Sequence, residues 1–284
     1  MKIGTTTIPL AGWAVDPRRP EEGRTRRLAA IRQLVEGYGL SAIELTLDLG
    51  IVYARVFDAG FYAAVADLQR ELGFTCTVHL PFMWLDPASL NESVRLVSVD
   101  GLRRAVELTR AVEVATYTLH LWGFTTVQIF GLLEHPGQRQ AILGGVMAQA
   151  GRSLSELCDL LDPHDLCVEN LEAPPYESVL PLIERHGVSI CLDVGHLAWE
   201  GGGEVDFLTR HRDRIREVHL HDAASSSQGG RRQTLDHLPL GRGQIDYLTF
   251  LRRLEETGYD GAVILENNSQ SDLEESLERI RPFL

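Results

Sequence analysis

A chain of 284 residues, 44% hydrophobic and 24% charged, has the length and make-up of one large soluble domain. No apolar run approaches the roughly 20 residues that cross a bilayer, which argues against a membrane partner. A formal net charge of −13 argues against a surface that holds bulk nucleic acid by neutralising phosphates, though not against a small phosphorylated ligand met by bound cations.

Short apolar runs alternate with amphipathic stretches along the chain. The first run, Lys2–Thr7, opens without a signal-peptide pattern, so a cytoplasmic protein is expected. A helical pattern over Thr25–Glu36 follows, then a strand at Ala42–Leu47, a helix at Tyr62–Leu72 and a strand at Thr75–Leu80. The alternation continues through the helix Asn91–Val112, the strand Tyr117–Leu121, the helix Gln138–Leu161 and the strand Leu166–Leu171. The helix Val179–His186 leads to the strand Ser189–Leu192, and Gly201–Gly203 marks a turn before a sixth helix. After the strand Glu217–Leu220 comes the Ser-, Gly- and Gln-rich stretch Ala223–Arg232, which reads as a mobile surface loop, either a plain insertion or a lid. The helix Tyr247–Thr257, the strand Ala262–Leu265 and the helix Asp272–Ile280 close the series. Eight strands in strict alternation with helices, with no composition break, predict an α/β fold: one (β/α)8 barrel over residues 1–284.

The four cysteines, Cys76, Cys158, Cys167 and Cys191, lack Cys-x-x-Cys spacing and read as small apolar residues in a reducing compartment. Lys2 is the only lysine and would lie at the wrong end of the first strand for Schiff-base chemistry.

Barrel enzymes build their sites at the C-terminal ends of the strands, and these ends are rich in ionisable groups. In order they carry Glu44, His79, His120, Glu169-Asn170, Asp193 with His196, His219 with His221 and Asp222, and Glu266-Asn267. One such residue alone is ordinarily a hydrogen-bonded or solvated side chain. Recurrence on most strands would be electrostatically costly without cations, and mixed His, Glu and Asp ligation suits zinc, manganese, iron or cobalt. The i, i+2 spacing lets His219 and His221 face one side, whereas only one of Glu169 and Asn170 need point inward.

These residues resemble the xylose-isomerase-like barrels, the superfamily of sugar isomerases and epimerases and of the endonuclease IV group. The resemblance spans essentially the whole chain. It rests on His79 in Val-His-Leu-Pro, Glu169-Asn170, Asp193-Val-Gly-His196, Val218-His219-Leu-His-Asp222, Leu240-Gly-Arg-Gly243 and Ile264-Leu-Glu266. By resemblance, Glu169, Asp193, His219 and Glu266 hold one metal, with Glu169 and Glu266 catalytic. The endonuclease IV pattern adds His79 and His120 around a bridging Glu169, and His196 with His237, for two or three metals per chain. That pattern has Asp-x-His where this chain has Asp236-His237, so ligation by Asp236 is left open. Glu44, His221 and Asp236 are candidate substrate-binding residues.

The added histidines favour metal-dependent hydrolysis of a small phosphodiester; the alternative is a single-metal sugar or sugar-phosphate isomerase or epimerase. The charge disfavours an AP endonuclease, and the ligand set disfavours a non-catalytic binding protein. The opening run from Lys2 to Trp13 further resembles cobamide-remodelling phosphodiesterases, which implies a corrinoid as substrate. Trp13, Phe82, Trp84, Trp122 and Phe124, just past strands one, three and four, either receive such an apolar macrocycle or pack under the loops.

Overall fold

The computed structural model describes residues 1–284 other than 14, 134, 172, 201, 229 and 230; at 131, 198–200, 225–228 and 231–234 the backbone alone is described. The expected strands form at β1 (Lys2–Thr6), β2 (Ala42–Thr46), β3 (Thr75–His79), β4 (Val114–Leu119), β5 (Leu166–Glu169), β6 (Ser189–Asp193) and β7 (Ile215–Leu220). Two further strands, β8 (Asp222–Gln228) and β9 (Arg231–Leu238), precede the last barrel strand, β10 (Ala262–Leu265). The barrel closes in the order β1-β10-β7-β6-β5-β4-β3-β2, every pair parallel.

Successive residues of each strand face opposite ways. Ile43, Val78, Val168, Leu192, Val218 and Val263 are buried in the main apolar core, whereas Ala42, Ala262 and Ile264 form a separate small cluster. Alternation puts Glu44, Thr77, Thr116, Thr118 and Glu217 in the barrel interior, all buried. Bulky branched side chains usually fill this space. Here Thr116 and Thr118 donate hydrogen bonds to Glu217 across the barrel, at 2.7 and 2.9 Å.

The outer layer contains α1 (Ile8–Ala11), α2 (Pro20–Arg32), α3 (Asp48–Val52), α4 (Ala59–Leu72), α5 (Glu92–Leu108), α6 (Phe124–Leu132) and α7 (Pro136–Cys158). It continues with α8 (Leu180–His186), α9 (Val194–Glu200), α10 (Glu204–His211), α11 (Tyr247–Glu256) and α12 (Gln270–Arg279). The first long helix starts earlier than its periodicity suggests because Pro20 supplies a pre-set φ in its first turn, and it ends in a π-helical turn, Gln33–Gly37. Helix α4 is fixed at both ends: the Asp58 carboxylate accepts the Phe61 N–H, and Gly73 takes a left-handed φ of 75°. Helices α1, α3, α6 and α9 escape the sequence pattern because four to nine residues give too short a window for period 3.6.

The stretch expected to be a mobile loop is instead an antiparallel hairpin of β8 and β9, from Asp222 opposite Leu238 to Gln228 opposite Arg231. Its ladder uses backbone groups, so Ser and Gln are no obstacle to it. Of the expected loop or lid Ala223–Arg232, residues 229 and 230 lie outside the described residues, as does Gly201 of the expected Gly turn. Cys76, Cys167 and Cys191 are buried and Cys158 half-buried, all free, as expected. No helix of the described residues is long and apolar enough to cross a membrane.

Candidate metal centre

The parallel register brings neighbouring strand ends of one face to within about two residues of each other in height. Asp193 pairs with His219, and Glu169 with Cys191 two residues below Asp193. Ligand atoms of Glu169, Asp193, His219 and Glu266 consequently lie within 4.8 Å of one another, three of these residues buried and Glu266 partly so. His219 Nδ1 is 3.3 Å from Glu169 Oε1 and 3.4 Å from Glu266 Oε1.

Glu169 Oε2 faces the other way, 2.9 Å from His120 Nε2 and 3.3 Å from His79 Nε2. Crowded by two imidazoles, this buried oxygen still accepts no hydrogen bond among the described residues. A buried carboxylate oxygen without a donor is costly; a cation shared with the two nitrogens would satisfy it, so these residues fit a metal. The His79 ring is set for ligation: Nδ1 lies 2.9 Å from the Leu80 carbonyl oxygen, which can only accept, so the proton sits on Nδ1 and Nε2 keeps its lone pair. Phe82 packs on both rings, with centroids 4.3 Å from His120 and 5.0 Å from His79.

His196 is oriented in the same manner. Its Nδ1 is 2.9 Å from the Asn170 carbonyl oxygen, and its backbone N–H donates to Asp193 Oδ1 at 2.7 Å. The Asn170 amide, turned away from the site as alternation requires, clasps β6: it donates to the Asp193 carbonyl and accepts the Asp193 N–H, each at 2.8 Å. His237 lies near the end of β9 with Nε2 3.6 Å from Glu266 Oε2 and Nδ1 3.3 Å from Asp236 Oδ1. The His196 and His237 ring centroids are 6.4 Å apart, a looser pair than His79 and His120 at 4.9 Å.

Two residues expected to touch substrate do not reach the cavity. Glu44 is fully buried, because β2 continues to Thr46 and it is Thr46 that lines the mouth. Its Oε1 instead sits 3.1 Å from His219 Nε2. His221 is also fully buried. Its Nδ1 accepts the His237 backbone N–H at 2.9 Å, so the proton is on Nε2, 3.2 Å from Asp193. The Asp222 carbonyl oxygen, 3.2 Å from the same Nδ1, is then a neighbour and not a partner. His221 thus straps the hairpin to Asp193. Asp236 does line the cavity.

Two motif glycines have steric explanations. A Cβ at Gly195 would overlap the His221 ring, and one at Gly243 would overlap the Asp222 carboxylate. Asp222 is no ligand: its Oδ1 accepts N–H groups from Ala223 and Ile245, and its Oδ2 from Gly241 and Gly243, at 2.8–3.1 Å. Glu217 was missed as a candidate; its spacing of two from His219 was the available signal.

Where no cation is bound, the carboxylates of the site favour protonated imidazoles. Burial opposes ionisation of Glu169, but the imidazoles of His120 and His219 hold its carboxyl well below the ordinary range. Burial likewise opposes a charged His79, yet Glu169 and Glu44 push it up to about 10. Asp236 and Glu266 push His237 up to about 11 against the same penalty. Burial, with Glu44 nearby, raises the Glu217 carboxyl to about 7.

Above the acidic floor opens a cavity of about 1020 Å³, with a polar wall of His79, His120, Glu169, His196, His237 and Glu266. The rest of the lining is largely apolar and includes Ile8, Trp13, Phe82, Met83, Phe124 and Leu132, with Trp122. Trp84 faces an adjoining groove. Among the described residues, no lysine or arginine lines the cavity.

Residues 6–283 match the model of a family described as the xylose isomerase-like TIM barrel. An uncharacterized protein of Methanocaldococcus jannaschii, MJ1311, is 25% identical over 236 residues, 77% of this chain and 73% of that protein. Inosose dehydratase of Lacticaseibacillus casei is 28% identical over 102 residues, 32% of this chain and 34% of that protein. Among solved structures, a D-tagatose 3-epimerase-like protein superposes with a TM-score of 0.73 at 21% identity, covering 100% of this chain and 97% of the other. A family 2 AP endonuclease from Brucella melitensis gives 0.64 at 17% identity, covering 99% and 98%. At these identities the structural likenesses show the fold.

Proposed function

The chain belongs to the xylose isomerase-like TIM barrel family, and from that premise we propose that it is a divalent-metal-dependent hydrolase of a small phosphodiester. One observation carries this reading: Glu169 turns one oxygen to His219 and the other to His79 and His120. That is the arrangement of a carboxylate shared by two cations. Glu169, Asp193, His219 and Glu266 would hold one cation, and His79, His120 and Glu169 a second. His196 and His237, with Asp236 or Glu266, offer a looser third position. When bound, such cations supply activation of water and neutralisation of phosphoryl charge.

The chain's own groups constrain the substrate. With no lysine or arginine among the described lining residues, an anionic group would be met by the imidazoles and by cations at the metal end of the cavity. The many apolar side chains of the lining favour a ligand with one charged linkage and a large apolar part. A corrinoid carrying a nucleotide-loop phosphodiester has that character and is the finer form of the proposal. Phe82 holds the two added imidazoles in place, and Asp236 is positioned to bind substrate at the rim.

A second reading is single-metal sugar epimerisation or isomerisation, and the named relatives favour it over hydrolysis, since a D-tagatose 3-epimerase-like protein and inosose dehydratase stand among them. In it, Glu169 and Glu266 move a proton to and from the substrate carbon, and His79 and His120 contact hydroxyls. The histidines separate the two readings. For the hydrolase, His120→Ala or His79→Ala should lower metal content by about one equivalent and cut phosphodiesterase turnover by roughly 100-fold or more, measured by elemental analysis and phosphomonoester release. One metal per wild-type chain, with ketose epimerisation retained in both variants, would sink the hydrolase and establish the epimerase.

A further inference from the structure

The barrel interior contains a carboxylate that neither reading uses. Glu44 comes from β2, three strands round the barrel from β7, and its Oε1 is 3.1 Å from His219 Nε2. Both side chains are fully sealed from solvent. The opposite nitrogen of the same ring, Nδ1, faces Glu169 and Glu266. An imidazole that ligates a metal through Nδ1 must be unprotonated there, so its hydrogen resides on Nε2. We propose that Glu44 is the positioning residue of the metal centre: it accepts the Nε2–H of His219, fixing that tautomer and ring orientation so that Nδ1 presents its lone pair to the cation. The inference rests on the metal-centre reading but on neither choice of substrate.

Geometry favours Glu44 over its neighbour Glu217 for this task. Glu217 already accepts the hydroxyls of Thr116 and Thr118, anchoring it to β4. Among hydrogen bonds to the His219 ring, Glu44 supplies the contact on the side away from the metal-ligating carboxylates. An anionic acceptor also makes the ring a stronger donor to the metal, and losing such outer partners characteristically costs 10–100-fold in metal affinity.

The test is a Co(II) titration of the chelator-stripped full chain, read by its visible absorption and by competition with a calibrated chelator. Glu44→Gln should bind the metal about 10–100-fold more weakly with a shifted absorption band. Glu217→Gln should stay within a few-fold of wild type. Equal affinity and an unchanged band in folded Glu44→Gln overturn the proposal while leaving the metal centre standing. Wild-type protein that binds no Co(II) removes the metal centre itself and the proposal with it. Histidine nitrogen NMR of the zinc-loaded wild type gives a reading independent of whether the Gln variant folds. A protonated His219 Nε2 supports the role, and a protonated Nδ1 overturns it.

Discussion

At the residue scale, His237 adopts a φ of 52°, a region uncommon for a residue with a side chain. The bond from its backbone N–H to His221 Nδ1 holds it there, and so turns its ring toward Glu266. Gly195 makes room for the strap. Its backbone is not left-handed, so only sterics forbid a side chain, whereas Gly187 at φ 69° has open space around it. Gly195→Ala should therefore cost about 3 kcal/mol, because the His221 ring is tied at both nitrogens and cannot swing aside. Gly187→Ala should cost about 1 kcal/mol from backbone conformation alone. Urea denaturation of both variants checks the order; equal costs would contradict the steric explanation.

At the scale of elements, α5 and α7 are joined by a charged cluster. Buried Arg95 on α5 donates to Glu92 and to Glu156 of α7, and Arg152 of α7 reaches back to Glu92. The hydrogen bond from Arg95, helped by Gln149 and Arg152, lowers the Glu92 carboxyl to about 2. In the unfolded chain that group titrates near its ordinary value, so between the two values the unfolded state binds more protons. Its stabilisation is complete above about pH 4.5 and is lost as pH falls toward about 2. Glu92→Gln should be less stable than the parent at neutral pH, and the gap should close on acidification. Thermal melts of the chelated proteins across that range test it; a gap independent of pH would exclude the linkage. The helices were legible from their apolar period, but this cross-helix cluster was not, since it joins residues about 60 positions apart. The hairpin was misread for a related reason: its strands are specified by backbone pairing, and its Ser and Gln composition is also that of loops.

For the whole molecule, buried carboxylates of β2, β5, β6 and β7, joined by Glu266 after β10, face one another in and above the barrel. Divalent cations that bind only the native state raise its stability by mass action. Chelation should lower Tm by several degrees, and adding back zinc or manganese should restore it; a Tm indifferent to both would tell against a metal centre. The formal net charge is negative and no lysine or arginine lines the described cavity, so an anionic ligand there would depend on imidazoles or bound cations.

The sequence by itself determined the barrel and most of its chemical ring, because buried parallel strands leave a local apolar signature and their C-terminal ends form one face. Glu169, Asp193, His219 and Glu266, with His79 and His120, were all readable from that rule. Depth and tautomer were decided only by the tertiary structure. Strand stagger in a closed barrel puts residues near successive strand ends at different heights, and this buries Glu44 within the barrel, away from the cavity lining. It also seals His221 under the hairpin and makes Asp222 an anchor for the Gly241–Gly243 turn. These roles depend on what lies across the barrel, and no local pattern in the chain encodes that.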